Sequence, residues 1–291
     1  MPSNNSSYQT SIALLTCFFG KLPWYFEYFV HSCSYNPTID FVIITDDDTY
    51  WKPLPANVKL VFRTLEQVTE LAAEKLGLRV CIDRGYKMCD FKPAYGVIFS
   101  QWLGAYDFWG HTDIDIIFGD IRQFMTDELL DEYDLISVRP DWLTGCFLLY
   151  RNQDRINKLF MQSRDYQKVF TSPVHYCFDE TNFAHDAFTE GISYLDIHTE
   201  IESMMHVVSR VQAQGRLKVY YDLHIIEGLP GKLKWENGKM YYRNKYEIMC
   251  YHMIYFKKRY TPKNIGTMPQ SFTLSPTRIY HTPLNQAIHG V

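Results

Sequence analysis

The chain has 291 residues, a formal net charge of −4, and 46 % apolar against 21 % charged residues, an ordinary globular balance that can bury a sizeable core. Net acidity leaves no basic field for gripping nucleic acid, and seven cysteines without a C-x-x-C pair rule out a disulfide framework or zinc knuckle and suit a reducing compartment. The polar opening MPSNNSSYQT carries no secretory pattern and no apolar run is long enough to span a bilayer, so a cytoplasmic location is expected, with any membrane contact peripheral.

The first hundred residues alternate strands with helices. SIALLTCFFG (11–20) reads as a buried strand, and Pro23 stands where a helix can begin before WYFEYFVHSC. IDFVIITDDD (39–48) is a second strand that stops at three aspartates, and VKLVF (58–62) is a third. TLEQVTELAAEKLG has helical spacing, with Thr64 as its N-cap and Gly77 as its stop. This alternation predicts an α/β fold with a mostly parallel central sheet flanked by helices. Ligands of such sheets sit beyond the carboxyl ends of the strands, which places residues 16–21 and 46–48 on one rim.

CDFKPAYGVIFSQWLGAY (89–106) reads as a helix with Pro93 in its first turn. It leads into FWGHTDIDIIFGD (108–120), an apolar, aromatic strand that carries Asp113 and Asp115. YDLISV (133–138) and GCFLLY (145–150) are further strands, split by RPDWLT. Beyond 151 the pattern loosens. NKLFMQ looks helical, FDETNFAHDAF (178–188) starts a short helix with Asp179 and Glu180 at its beginning, and KWENGKMYYRN is a hairpin on Asn237-Gly238. The cationic stretch 243–263 is either a solvated rim or a site for phosphate or an anionic membrane surface. Four prolines, at 262, 269, 276 and 283, mark 261–291 as an irregular tail.

Ionised carboxylates are expensive to bury without a positive partner, so Asp113 and Asp115 demand one. In an extended chain, residues i and i+2 point to one side about 7 Å apart, close enough to converge on one ion. Hard divalent cations accept one or two carboxylates and fill the rest of their shell with water and phosphate oxygens. The spacing also suits a capped, solvated turn or carboxylates bonded to backbone N–H groups, and by itself leaves these open.

The segment KMCDFKPAYGVIFSQWLGAYDFWGHTDIDIIFGDI (87–121) resembles the core of GT-A-type nucleotide-sugar glycosyltransferases. The families concerned are typified by glycogenin and lipopolysaccharide galactosyltransferases and by Asp-x-Asp mannosyl and capsule transferases. A group of uncharacterised glycosyltransferase-like proteins is similar as well. In those enzymes a helix bearing an aspartate and a basic residue precedes Y-G-G-x-Y-x-D-x-D; the counterparts here are Asp90, Lys92 and FWGHTDID. The resemblance implies one GT-A (Rossmann-like) domain over 1–291, with a nucleotide-sugar-binding half (10–138), an acceptor-side half (139–260) and the irregular tail.

The resemblance further implies Mn²⁺ or Mg²⁺ on Asp113 and Asp115, with His252 as third ligand and His111 as its rival. Donor contacts would fall to Thr16, Phe18, Phe19, Lys21, Asp46, Asp90, Lys92 and Lys258, and acceptor contacts to Asp141, Trp142 and Gly145. Asp179 and Glu180 would carry the chemistry, beside the anomeric carbon of a retaining enzyme or as the general base of an inverting one. Three positions depart from the family patterns: Tyr255 stands for a glycine, Lys258-Arg259-Tyr260 for a K-P-W ending, and Leu143 where asparagine is common. The implied activity moves a hexose or pentose from a nucleotide diphosphate sugar to a hydroxyl of a glycan or glycolipid, in polysaccharide or glycan biosynthesis. Two alternatives stand beside it. One is a non-catalytic nucleotide- or glycan-binding module on the same fold. The other is a Mg²⁺-dependent phosphotransferase of the haloacid-dehalogenase type, against which Ile117 occupies the threonine-like position.

Overall fold

A computed structural model describes residues 9–263 and 265–281. Its first eight strands are β1 (Ile12–Phe18), β2 (Ile39–Thr45), β3 (Val58–Phe62), β4 (Phe108–Thr112), β5 (Ile116–Phe118), β6 (Leu135–Ser137), β7 (Phe147–Arg151) and β8 (Val219–Tyr221). Seven of them form one sheet in the order β3-β2-β1-β4-β7-β6-β8. The pairings β1–β2, β2–β3, β1–β4 and β6–β8 are parallel, and β7 runs against both its neighbours. The fold class is therefore the expected one: α/β, with a mostly parallel central sheet covered on both faces.

Alternating side chains explain the layers. Ala13, Leu15, Val42 and Ile44 face one core, closed by α2 (Leu65–Leu76) and the broken helical stretch after it. Leu14, Phe41 and Ile43 face the other, closed by α1 (Phe26–Ser34). Sheets buried on both sides need near-continuous apolar strands, which is how β1 and β2 read. The local signals at α2 hold in detail. Thr64 Oγ1 accepts from Gln67 N at 3.1 Å while Thr64 N donates to Gln67 Oε1 at 3.0 Å, and Gly77 ends the helix at φ 64°.

From β1 the chain winds outward to β3 and then returns to lay β4 on the other side of β1. The strand order reverses between β1 and β4, and the crevice beyond their carboxyl ends is where such sheets bind ligands. Thr16 Oγ1 donates to Thr112 O at 2.5 Å and ties the two strand ends together.

The remaining strands are β9 (Ile225–Glu227), β10 (Leu233–Glu236), β11 (Lys239–Tyr242), β12 (Tyr246–Ile248), β13 (Cys250–His252), β14 (Ser271–Leu274) and β15 (Ile279–His281). They build an antiparallel sheet, β12-β11-β10-β14-β15, and a small sheet, β5-β13-β9. The predicted hairpin is β10–β11, with Asn237 and Gly238 both at positive φ (48° and 83°).

Several expectations are corrected. Residues 271–281, read as part of an irregular tail, form the β14–β15 hairpin, because Phe272, Leu274 and Ile279 are buried in one cluster with Trp235 while the prolines keep to the turns. Pro283 and the rest of 282–291 lie outside the described residues. The helix expected over 89–106 is a chain of short turns, Met88–Phe91, Lys92–Ala94, Tyr95–Ile98 and Ser100–Leu103, since Pro93 lacks the N–H that would continue it. Residues 178–183 form a turn, and the helix there starts only at His185. A helix at Met204–Ala213, buried through Met204, Val207, Val208 and Val211, was not read from the sequence although its spacing is helical. No helix among the described residues is long and apolar enough to cross a membrane.

Candidate active site

Asp113 and Asp115 lie in the turn between β4 and β5, not within a strand. Ile114 between them is buried in the core and pins the turn, so the two carboxylates are aimed by a bend and not by strand alternation. Asp113 N donates to Cys146 O at 3.2 Å. β5 then pairs with β13 so that His252 lies opposite Ile116, and Met253 N donates to Asp115 O at 2.9 Å. On its other edge β13 pairs with β9, with Glu227 beside His252. Register across this small sheet therefore lines up Asp115, His252 and Glu227, which are far apart in sequence.

The ligand atoms of Asp113, Asp115 and His252 lie within 4.8 Å of one another. His252 turns Nε2 toward Asp115 Oδ2 (3.3 Å) and Nδ1 toward Glu227 Oε1 (3.0 Å). Arg139 holds Glu227 in turn, donating from Nη1 to Oε2 at 2.7 Å. A histidine braced through one ring nitrogen by a carboxylate, with the other directed at an acidic pair, is the arrangement that orients metal ligands. The expected rival His111 is fully buried, and burial together with the nearby Lys92 charge holds its imidazole well below the usual range. Among the ligand groupings of the described residues, His111 takes no part.

Each of the two aspartates has a lysine as its positive partner. Buried Lys92 donates to Asp113 Oδ1 at 2.7 Å and to Gly145 O at 2.6 Å. Lys257 donates to Asp115 Oδ2 at 2.5 Å. Burial alone would raise the Asp115 carboxyl, but the hydrogen bond and charge of His252 and the charge of Lys257 outweigh it and hold Asp115 below the usual carboxylate range. A cleft of ≈ 590 Å³ opens over this cluster and also takes in Lys258.

The opposite wall carries Asp179 and Glu180. Gly145 N donates to Glu180 Oε1 at 2.5 Å, and His185 Nε2 lies 2.9 Å from Glu180 Oε2. These bonds outweigh the effect of burial and pull the Glu180 carboxyl down to about 2. Asp179 Oδ2 lies 3.9 Å from Lys92; burial, with the neighbouring acids, raises its carboxyl well above the usual range despite that lysine. A Cβ on Gly145 would stand 2.6 Å from Asp179 Oδ2 and 3.0 Å from Glu180 Oε1, so the glycine is what lets the acidic pair close on this strand. Lys92 and Gly145 thus join the two walls.

The structure gathers Asp113, Asp115, His252, Lys92, Lys258, Asp179, Glu180, Trp142 and Gly145 around one cleft. Other sequence-predicted residues lie outside its lining. Asp90 is fully buried and saturated, accepting from Lys87 (2.8 Å), Tyr176 N (3.0 Å) and Phe178 N (2.9 Å), so it has no lone pair facing a donor. Asp46 accepts from Gly20 N at 2.6 Å and clamps the loop after β1. Thr16 is spent on Thr112, Phe19 packs on Gly85, Phe18 ends β1 half-buried against the core under α1, and Lys21 is exposed on the loop. Asp141 is held by Arg139 at 2.7 and 2.9 Å and by Thr189, while the Arg139 guanidinium lies 3.5 Å from the Trp142 ring centroid. Glu227, Arg139 and Lys257 were not predicted. Lys257 was foreshadowed only as part of the cationic stretch, and for Glu227 the sole signal is tertiary register.

A family model described as a family of unknown function (DUF6625) matches residues 14–283. The chain belongs to that family. No curated protein matches the sequence. Among solved structures, this DUF6625 chain is similar to the galactosyltransferase LgtC in complex with donor and acceptor sugar analogues, at 11 % identity over 73 % of each chain with a TM-score of 0.33. It is also similar to the glycosyltransferase GlyE of Streptococcus pneumoniae TIGR4, at 11 % identity and a TM-score of 0.31, covering 56 % of this chain and 42 % of that one. The apo form of GlyE gives 10 % identity, a TM-score of 0.34, and 75 % and 46 % coverage. Identities this low leave the chemistry of the DUF6625 site to be read from its own residues.

Proposed function

We propose that the cleft transfers a glycosyl group from a nucleoside diphosphate sugar to a hydroxyl of a glycan or glycolipid. The same reading takes 1–291 as one GT-A unit working in glycan assembly in the cytoplasm. The observation that carries it is the joining of two unlike walls beyond the carboxyl end of β4. One wall offers oxygen and imidazole ligands with lysines beside them, and the other offers the buried Asp179 next to the half-buried Glu180.

The donor set suits a hard divalent cation: two carboxylates and one imidazole, the latter braced by Glu227. Asp113, Asp115 and His252 would hold Mn²⁺ or Mg²⁺, which when bound supplies Lewis-acid neutralisation of the departing diphosphate. Lys257 and Lys258 add point charges along the same wall. Across the cleft, Glu180 is already occupied by Gly145 N–H and His185, while the nearest cation to Asp179 is Lys92 at 3.9 Å. Asp179 is therefore the carboxylate with lone pairs to spare for the acceptor hydroxyl, and Glu180 holds the shape of that wall. Trp142, with Arg139 stacked on it, presents a flat surface for a sugar ring.

A second reading rests on the lysines themselves. Lys92 and Lys257 already neutralise Asp113 and Asp115, and in a metal-free version they would meet the diphosphate directly. Turnover of a panel of nucleotide sugars, followed as nucleoside diphosphate release with Mn²⁺ or with chelator, separates the versions. The proposal expects release that needs the cation and disappears in Asp113→Ala and Asp115→Ala. Release that survives chelation but not Lys257→Ala supports the metal-free version. Binding of donor with no turnover in any acceptor mixture identifies a non-catalytic module and overturns the proposal.

A further inference from the structure

On the acceptor wall, Cys177, Glu180 and His185 bring a sulfur, an oxygen and a nitrogen together within 4.8 Å. Cys177 Sγ lies 3.3 Å from Glu180 Oε2, His185 Nε2 lies 2.9 Å from the same oxygen, and the sulfur and nitrogen are 3.9 Å apart. A tetrahedral Zn²⁺ with sulfur at about 2.3 Å and nitrogen or oxygen at about 2.0–2.2 Å requires ligand-to-ligand edges of roughly 3.3–3.6 Å. Each observed edge is within about half an ångström of that triangle. We infer that Cys177, Glu180 and His185 form a second cation site, selective for a thiophilic divalent ion such as Zn²⁺ and separate from the oxygen-rich site on Asp113 and Asp115.

An ion pair between Glu180 and His185 with the Cys177 thiol donating to the same carboxylate is the simpler description, and the backbone at Cys177 argues for more. Cys177 adopts a positive φ of 50°, a left-handed conformation that non-glycine residues seldom take. A Glu–His pair five residues apart needs no such turn. In that turn Cys177 Sγ donates to Glu180 Oε2 at 3.3 Å and so stands beside both other groups. All three side chains border the cleft, which leaves the fourth coordination position open to water or a substrate oxygen. On binding, the Cys177 thiol releases its proton to solvent, and thiolate, carboxylate and neutral imidazole become the three protein ligands. Among the described residues the other sulfur-containing group, Cys146, Glu227 and His252, shares its histidine with the hard site, so the two could not be filled together, whereas the Cys177 group shares no ligand with it.

This inference goes beyond the proposed activity and does not depend on turnover. The test is titration of the reduced full chain with Co²⁺, whose thiolate charge-transfer absorption in the near ultraviolet reports sulfur ligation. The inference expects one such band, displaced by stoichiometric Zn²⁺, lost in Cys177→Ser, and retained in Cys146→Ser and Asp113→Asn. His185→Gln is expected to weaken Zn²⁺ binding at least about 100-fold, since even indirect partners of a metal are worth 10–100-fold. Absence of the band in the wild type, its persistence in Cys177→Ser, or its loss in Cys146→Ser would each overturn the assignment. Circular dichroism of each variant separates loss of ligation from loss of the fold.

Discussion

Two lysine–aspartate pairs start from the same broken helical stretch and end very differently. Lys87 and Asp90 are both wholly buried. The lysine donates to Asp90 (2.8 Å), Val169 O (2.8 Å) and Val174 O (2.5 Å), and the aspartate accepts from Tyr176 N and Phe178 N. Lys92 is as deep, but its partner Asp113 keeps about a third of its side-chain surface exposed (32 %) and faces the cleft. The first pair is complete and braces the segment that delivers Asp179; the second is left open for something to bind. Saturation of hydrogen-bonding capacity, more than burial or charge, tells the brace from the site.

The sharpest way to break this contrast is Asp90→Asn. It strands Lys87 as an unpaired buried charge, and the expected loss is about 3–5 kcal/mol of stability by denaturant unfolding. The pH dependence follows with a definite sign. Burial pushes the Asp90 carboxyl up, but His175 and Lys87 outweigh it and hold it low in the folded state. The brace therefore stabilises fully above the ordinary carboxylate range and is lost as pH falls through the lowered folded value. The variant should show a flatter acid limb than the wild type in unfolding measured from neutral pH downward.

Asp113→Asn sharpens the other side. Cation-dependent release of nucleoside diphosphate should drop by about 10²–10³-fold, while stability changes by no more than about 1–2 kcal/mol, because Asp113 is partly exposed and Asp179 remains near Lys92. A smaller effect is expected at Gly145, where alanine would force Asp179 and Glu180 aside. About 1–3 kcal/mol of stability should be lost, together with turnover but not Mn²⁺ affinity, as calorimetry can separate. The smallest effect belongs to Glu227→Gln, which leaves every ligand in place and loosens only the brace on His252. Mn²⁺ affinity by isothermal titration should fall about 10–100-fold.

The comparison also shows what a sequence can carry. β1 to β3, the box of Thr64 and Gln67, the Gly77 stop and the Asn237-Gly238 hairpin are local patterns, and the structure repeats them. The Asp-x-Asp pair was legible as a misfit in an apolar run, yet its geometry was not, because the pair falls in the turn between β4 and β5 and not in an extended strand. His252 came into view through a family resemblance, and its neighbours Glu227 and Lys257 through nothing local. They meet Asp115 only by pairing of β5, β13 and β9 across more than a hundred residues of chain. Asp90 reads as a donor contact because sequence shows a charge and hides its partners; Lys87 and the backbone N–H groups of Tyr176 and Phe178 have already claimed it. The β14–β15 hairpin was hidden for a related reason, since prolines flagged the turns and the buried alternation of Phe272 and Leu274 is only two residues deep.

Anomalous diffraction from crystals soaked with Mn²⁺ and a nucleoside diphosphate tests the central claim most directly. A single manganese peak enclosed by Asp113, Asp115 and His252, with the diphosphate against Lys257 and Lys258, is the predicted result. A diphosphate seated on the lysines with no manganese among those three residues would contradict it.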